Sequence, residues 1–136
     1  MSPGVVCDAS ALVAILLDAG SDGAWATQAL AGAHVLAPSL LSFECANIIR
    51  RHELARLVSP DQAVQAHADL VAMPLELWPY EAVATRVWEL RHNLSSYDSS
   101  YVAVAELAEA DLITLDRRIS RTPGLRIAVR TPEPFD

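Results

Sequence analysis

The fold is decided by residues 94–106, LSSYDSSYVAVAE, and by residues 111–116, DLITLD. In the first stretch a polar run opens a helix and places Asp98 in its first turn, where the backbone amide dipoles favour an acid. In the second, residues 112–115 are typical of a short buried strand, and Asp116 follows its end. Residues that follow the strands of a parallel α/β sheet face the crevice where ligands bind. The two stretches therefore predict an α/β fold with acids at one edge of its sheet.

Alternating apolar and helical segments extend this pattern over the rest of the chain. The predicted strands are 5–7, 34–37, 75–78, 112–115 and 127–129. The predicted helices are 11–18 with Ser10 as cap, 22–31, 39–56, 60–73 with Ser59 as cap, 81–91, the helix that Asp98 opens, and 117–120. Strands that alternate with helices imply a parallel sheet between helix layers. We expect a single domain over residues 1–136.

Composition is that of a compact intracellular protein. The 136 residues are 52% hydrophobic, which is enough for a sizeable core. No apolar run reaches the roughly 18 residues that a membrane span needs. Cys7 and Cys45 lie in apolar surroundings and are expected to be reduced core thiols rather than a disulfide or a zinc site. These features predict a cytoplasmic protein.

The formal net charge is −7, which argues against broad, non-specific binding of nucleic acid, because such binding needs a basic face. It does not exclude a nuclease whose acids are concentrated at a metal site. All 10 positive side chains are arginine. Phospho-acceptor domains and aspartyl-phosphate phosphatases characteristically use a lysine to hold the phosphoryl group. The absence of lysine weakens both of these alternatives.

Three of the acids have a plain structural interpretation beside a functional one. Asp8 follows the strand 5–7 and could simply cap the next helix. Asp98 could be an ordinary helix-start acid. Asp116 could cap the short helix 117–120.

Glu44 lies on a helix stripe that it shares with Leu40, Asn47 and Arg51. Apolar side chains border this polar stripe, so it is expected to face inward, where a carboxylate needs a partner. One alternative is a Glu44–Arg51 pair that Asn47 bridges.

Taken together, the four acids predict a metal site. Asp8 and Asp116 both follow buried strands, Asp98 opens a helix, and Glu44 lies on a helix face expected to point inward. Four converging carboxylates repel one another, and hard divalent ions such as Mg²⁺ or Mn²⁺ neutralise them through oxygen ligands. Such ions activate water and stabilise charge on a phosphodiester.

These residues resemble the PIN domain family and, within it, the VapC-type toxins of bacterial toxin–antitoxin pairs. The matching motifs are VVCDAS at 5–10, Glu44 with Asn47, YDSSYVAVA at 97–105 and LITLD at 112–116. Each motif is weak alone, but four in this order and spacing are specific. The chain departs from many relatives at Leu115, where they have a small or polar residue, and we expect little effect.

The resemblance implies a three-layer PIN-like fold with a parallel five-stranded sheet in the order 3-2-1-4-5. It also implies an Mg²⁺- or Mn²⁺-dependent endoribonuclease that uses Asp8, Glu44, Asp98 and Asp116. Ser10 and Thr114 would orient acids or waters, although a helix cap and a plain strand residue are equally good interpretations. Arginines 51 and 117 are candidates for RNA phosphate contacts, with surface ion pairs as the alternative.

The resemblance further implies a cognate antitoxin as partner. The N-terminal helices have an apolar surface that includes Leu12, Ile15, Leu16, Trp25 and Leu30. This surface predicts a homodimer and a groove that holds an antitoxin segment. Two functions compete with the toxin: a non-catalytic binding module that keeps the PIN fold, and an RNA-processing PIN nuclease outside a toxin–antitoxin pair. Retention of all four acids argues against the first.

Overall fold

The computed structural model describes residues 3–133 and is built around a five-stranded sheet. Its strands are β1 (Gly4–Cys7), β2 (His34–Pro38), β3 (Leu75–Trp78), β4 (Asp111–Ile113) and β5 (Val129–Arg130). They lie in the order β3-β2-β1-β4-β5, and every neighbouring pair is parallel. The expected fold class and strand order are therefore confirmed.

Helices cover both faces of this sheet. They are α1 (Ala9–Leu17), α2 (Ser21–Leu30), α3 (Leu40–Leu54), α4 (Pro60–Ala72), α5 (Ala84–Glu89), α6 (Ser96–Ala108) and α7 (Arg117–Ser120). Helices α1 to α4 pack together, while α5 and α6 pack with each other, and α6 lies against β1, β2 and β4. The strand order accounts for the division, because the chain moves outward from β1 to β3 and then returns past β1 to reach β4, and parallel crossovers keep one hand.

The core is centred on β1, β4 and α6. Val6, Leu112 and Ile113 have no exposed surface, and the run 99–105 of α6 is buried. Cys7 and Cys45 are free and buried, as expected, and burial raises the pKa of Cys45 to about 12.

The first helix begins earlier than its predicted start. It starts at Ala9, and Asp8, rather than Ser10, is its N-cap, with a side chain that accepts a hydrogen bond from the Ala11 backbone. The prediction of a Ser10 cap is wrong because the chain turns from β1 directly into the helix. The first residue after the strand therefore takes the capping position.

Three other element boundaries differ from prediction. The helix expected at 81–91 is a 3₁₀ turn (Tyr80–Ala82) followed by the short α5. Strand β4 ends at Ile113, because its pairing with both β1 and β5 ends at that residue. Strand β5 begins at Val129 and ends at Arg130, just before the proline-containing tail, of which Pro134 lies outside the described residues.

The apolar surface expected on the first two helices is only partly exposed. Leu12 is completely buried, and the other four pack half-buried against the core. Large exposed apolar side chains lie elsewhere, among them Phe43, Leu54 and Leu57. None of the helices within residues 3–133 has the length and apolar character that crossing a membrane requires.

Candidate active site

Asp8 is the first residue after β1 and is buried. Its Oδ1 accepts hydrogen bonds from Ser10 Oγ at 2.6 Å and from the Ala11 backbone N–H at 3.1 Å. Its Oδ2 accepts one from Thr114 Oγ1 at 2.5 Å. Asp8 therefore caps α1 and is also held from the β4 side, so the structural and functional interpretations of this acid are compatible.

Ser10 and Thr114 join the chain segments that follow β1 and β4. The Leu115 N–H donates to Ser10 Oγ at 3.1 Å, and the Asp116 N–H donates to Thr114 Oγ1 at 2.9 Å. Each hydroxyl thus accepts from the segment after β4 and donates to Asp8. This geometry matches the orienting role considered for both residues, and it fixes the position of Asp116 relative to Asp8.

Asp98 lies in the first turn of α6, where the helix is capped by Ser95. The Asp98 N–H donates to Ser95 Oγ at 3.1 Å. Burial raises the pKa of the half-buried Asp98 carboxyl, and the charge of Asp116 raises it further, while Arg118 opposes the shift. Asp98 is therefore within electrostatic reach of Asp116 and Arg118.

Glu44 lies on α3 at the border between its buried and exposed faces. Its Oε1 accepts a hydrogen bond from Tyr101 Oη at 2.5 Å. Burial raises the pKa of Glu44; the bond from Tyr101 opposes this, and the charges of Asp8 and Asp98 add to it. Glu44 is thus within electrostatic reach of these two acids.

The predicted inward stripe on α3 is wrong beyond Glu44. Asn47 and Arg51 are exposed, and the buried face of the helix is instead Leu41, Cys45 and Ile49. Glu44 is bonded to Tyr101 rather than paired with Arg51. Tyr101 was not identified from the sequence, although its position three residues after Asp98 places it on the same side of α6.

Asp116 is the N-cap of α7 and is bound by Arg118. Its Oδ1 accepts from the Arg118 backbone N–H and from Arg118 Nε, both at 3.0 Å, and its Oδ2 accepts from Arg118 Nη2 at 2.6 Å. The guanidinium holds the pKa of Asp116 below its ordinary value. The sequence interpretation of Asp116 as a helix cap is therefore correct locally, and Arg118 is a site residue that it missed.

The two arginines predicted to contact RNA have different surroundings. The side chain of Arg117 donates from Nη2 to the Pro132 carbonyl at 3.0 Å and is half-buried, so it ties α7 to the C-terminal tail. Arg51 is exposed and lines a cavity of about 470 Å³ that also touches Ser10 and Leu115. Of the two, Arg51 is the more exposed.

The four acids influence one another electrostatically but are not drawn into a tight cluster. Asp8, Glu44 and Asp98 have raised pKa values, with burial as the main cause and a neighbouring acid as a further one. Within residues 3–133, no three Asp, Glu, His or Cys side chains are close enough to hold a metal ion as they stand. Each of Asp8, Glu44 and Asp116 instead has its own hydrogen-bond partner within the protein.

Comparison with protein families identifies the fold and its relatives. The model of the PIN domain family matches residues 5–125. The VapC ribonuclease Mb0985 of Mycobacterium bovis is 38% identical over 121 residues, which are 87% of this chain and 90% of that protein. Ribonuclease VapC12 of Mycobacterium tuberculosis is 31% identical over 88% of this chain and 92% of its own length.

Solved structures give the same result for the architecture. PAE2754 from Pyrobaculum aerophilum superposes with a TM-score of 0.61 at 25% identity, over 95% of this chain and 92% of that one. VapBC2 from Rickettsia felis, crystallised with a DNA fragment from its promoter, gives a TM-score of 0.67 over 94% and 98% of the two chains. At 14% identity this second likeness concerns the fold alone. The sheet order, the family match over most of the sequence and these relatives agree, and the chain belongs to the PIN domain family, among the VapC ribonucleases.

Proposed function

We propose that this protein is a divalent-metal-dependent endoribonuclease and the toxin of a toxin–antitoxin pair. The observation that supports the proposal lies at the carboxyl edge of the parallel sheet, where Thr114 links Asp8 to the backbone of Asp116. Glu44 and Asp98 are near enough to this link for neighbouring acids to raise their pKa values. The relatives bear the name ribonuclease, which supports RNA as the substrate.

The donor set of the crevice fits Mg²⁺ or Mn²⁺. All four candidate ligands are carboxylates, and hard divalent cations take oxygen ligands. Raised pKa values of three of them mean that a nearby positive charge would be favourable. Asp8, Glu44, Asp98 and Asp116 would hold the ion, which, when bound, activates water and stabilises charge on the phosphodiester.

The protein's own contribution is to position these carboxylates. Ser10 and Thr114 orient Asp8 by donating one hydrogen bond to each of its carboxylate oxygens. Tyr101 orients Glu44 in the same way through Oε1. The positive charge of Arg118 acts to lower the pKa of Asp98. The guanidinium of Arg118 is also suited to a bidentate contact with an RNA phosphate.

The proposal includes partners and a place of action. A cognate antitoxin segment would occupy the cavity of about 470 Å³ beside Ser10, whose walls include Leu17, Ile48 and Leu57. Exposed apolar side chains such as Phe43 and Leu54 are candidates for a homodimer contact, which light scattering at micromolar concentration would detect. A ribonuclease toxin needs cellular RNA, so we expect this protein to act in the cytoplasm. We also expect residues 1–136 to form one domain.

A non-catalytic binding module remains the competing function, because Arg118 already neutralises Asp116. Expression in bacteria with and without the antitoxin separates the two. A toxin arrests growth when it is expressed alone, Asp98→Asn removes the arrest, and the neighbouring antitoxin gene suppresses it. Asp22→Asn is the matched control, since Asp22 is an exposed acid on α2. Equal arrest by wild type and Asp98→Asn would reject catalysis by this crevice.

A further inference from the structure

A second, smaller pocket lies beside the acid crevice. Its volume is about 260 Å³, and its walls include Pro38, Ser39, Leu40, Tyr80, Ser96 and Tyr97. It is built from the end of β2, the 3₁₀ turn after β3 and the first turn of α6. These segments lie at the same carboxyl edge of the sheet as the four acids.

Two of its walls are continuous with the candidate active site. Tyr97 directly precedes Asp98, and it lies one helical turn before Tyr101, which contacts Glu44. Leu40 lies one turn before Glu44 on α3. The backbone of Tyr97 is held in place by Ser100, whose Oγ donates to the Tyr97 carbonyl at 2.6 Å. A group seated in the pocket would therefore be a neighbour of whatever the acids bind.

The chemistry of the walls selects the kind of group that fits. Tyr80 and Tyr97 are 53% and 66% exposed, so two aromatic side chains stand open to solvent at the rim. Ser39 and Ser96 add exposed hydroxyl-bearing side chains. No charged side chain is among the lining residues in the described part of the chain, which disfavours a phosphate or a metal ion. Flat, uncharged groups with hydrogen-bonding edges suit such walls, and nucleobases are bound in this way on aromatic side chains.

The sheet order places this pocket and the arginines of α7 on opposite sides of Asp8. The pocket follows β2 and β3 on one side of β1, whereas α7 follows β4 on the other. Arg118 on α7 and Arg121 just after its end are exposed and positively charged. An RNA strand that crosses the crevice would thus meet cations on one side and an aromatic pocket on the other.

We propose that the pocket between Tyr80 and Tyr97 binds one unpaired nucleobase of the RNA, next to the phosphodiester that the acids cleave. This inference rests on the proposed function, and it assigns a base-selecting role to residues outside the acid crevice. An apolar antitoxin side chain is the other possible occupant. The larger cavity beside Ser10 suits that partner better, because its walls carry more aliphatic side chains.

The test uses short single-stranded RNAs that carry 2-aminopurine, a base whose fluorescence is quenched when it stacks on an aromatic ring. Binding is measured on Asp98→Asn protein, so that the RNA stays intact, with and without Tyr80→Leu or Tyr97→Leu. We expect each leucine variant to weaken binding by about 5- to 100-fold and to reduce the quenching, since stacking on one aromatic side chain has this effect. Tyr97→Phe should keep both signals.

Two controls make the result specific. Trp88→Leu removes another exposed aromatic side chain, which lies on α5, packs against the Arg91 guanidinium and does not line the pocket. This variant should bind RNA like the parent protein. Thermal melts check that the surface variants are folded. A protein that keeps Asp98 and carries only Tyr97→Leu should also cleave RNA with a weaker preference for one base next to the cleavage site. Mapping the ends of the cleaved RNA measures this preference.

The outcomes separate this inference from the proposed function. If wild-type protein does not cleave RNA with any divalent metal, the proposed function fails and the pocket loses its substrate. If wild type cleaves but both leucine variants bind and select RNA unchanged, only the base pocket is rejected. Loss of antitoxin binding with unchanged RNA binding would also reject it and would assign the pocket to the protein partner.

Discussion

Arg118 binds both carboxylate oxygens of Asp116, with Nη2 2.6 Å from Oδ2 and Nε 3.0 Å from Oδ1. The arginine side chain is 81% exposed, so solvent and a ligand can both reach it. One of the four candidate metal ligands is therefore engaged by a cation that the chain itself provides. A divalent ion and Arg118 would compete for the same carboxylate.

The first prediction concerns this competition. Arg118→Gln should raise the affinity for Mn²⁺, because the ion no longer competes with the guanidinium for Asp116. The increase, measured by calorimetric titration, should be only a few-fold, since exposed ion pairs of this kind contribute little energy. Arg121→Gln, which removes an exposed arginine at the end of the same helix, should leave the affinity closer to that of wild type. A lower affinity in Arg118→Gln would mean that the arginine holds Asp116 in place for the ion instead of competing with it.

The second prediction concerns Asp8 in chelator. Asp8→Asn should be at least as stable as wild type near neutral pH, because the ionised carboxylate is buried close to other acids. The asparagine can keep its bonds to Ser10 and Ala11 while the Thr114 hydroxyl reverses and accepts from the new amide. Millimolar Mn²⁺ should raise the melting temperature of wild type more than that of the variant. Equal metal-induced shifts in wild type, Asp8→Asn and the Asp22→Asn control would show that Asp8 is no ligand.

The third prediction is that the difference in stability between wild type and Asp8→Asn in chelator depends on pH. Burial raises the pKa of Asp8 in the folded protein above the value of about 3.9 expected for the unfolded chain. Between these two values the folded state binds more protons, so its stability falls as pH rises. The stability advantage of Asp8→Asn in chelator should therefore be largest near pH 7 and shrink toward roughly pH 4. Chemical denaturation at a series of pH values measures it, and an advantage that grows on acidification would contradict the assignment.

The fourth prediction concerns the hydroxyl that links the two strands. Thr114→Val keeps the shape of the buried side chain but removes the donor to Asp8 and the acceptor of the Asp116 N–H. We expect a loss of about 1–3 kcal/mol in the free energy of unfolding and of roughly 10- to 100-fold in activity. Thr114→Ser keeps the hydroxyl and should restore most of the activity. Equal activity of the valine and serine variants would argue that the hydroxyl has no positioning role.

The sequence predicts at which edge of the sheet Asp8 and Asp116 lie, because strand direction determines it. Apolar runs at 5–7 and 112–115 are recognisable as strands, and all strands of a parallel sheet end at the same edge. Asp8 and Asp116 had to lie there once the sheet was parallel. The buried side of the segment around α5 was also predictable, since Val83, Val87 and Leu90 are spaced for one face.

The contacts between elements were not predictable in the same way. Tyr101 and Glu44 are 57 residues apart, and their contact depends on how α3 and α6 pack. The Arg118–Asp116 contact depends on a side-chain rotamer, which the spacing of residues in the sequence does not determine. The break in the 81–91 helix lies at Val83, whose φ of −123° and ψ of 0° leave the helical region, and a hydrophobic pattern does not determine the dihedral angles of one residue.

Cleavage of a labelled single-stranded RNA by the purified protein, in Mn²⁺ or Mg²⁺ and in chelator, shows whether these acids form a metal-dependent active site. Wild type and Asp22→Asn should cleave the RNA only when metal is present. Asp8→Asn and Asp98→Asn should each lower the rate by at least about 100-fold, the scale of losing one group that stabilises developing charge. Cleavage that persists in chelator, or equal rates for wild type and Asp98→Asn, would contradict a metal-dependent ribonuclease centred on these acids.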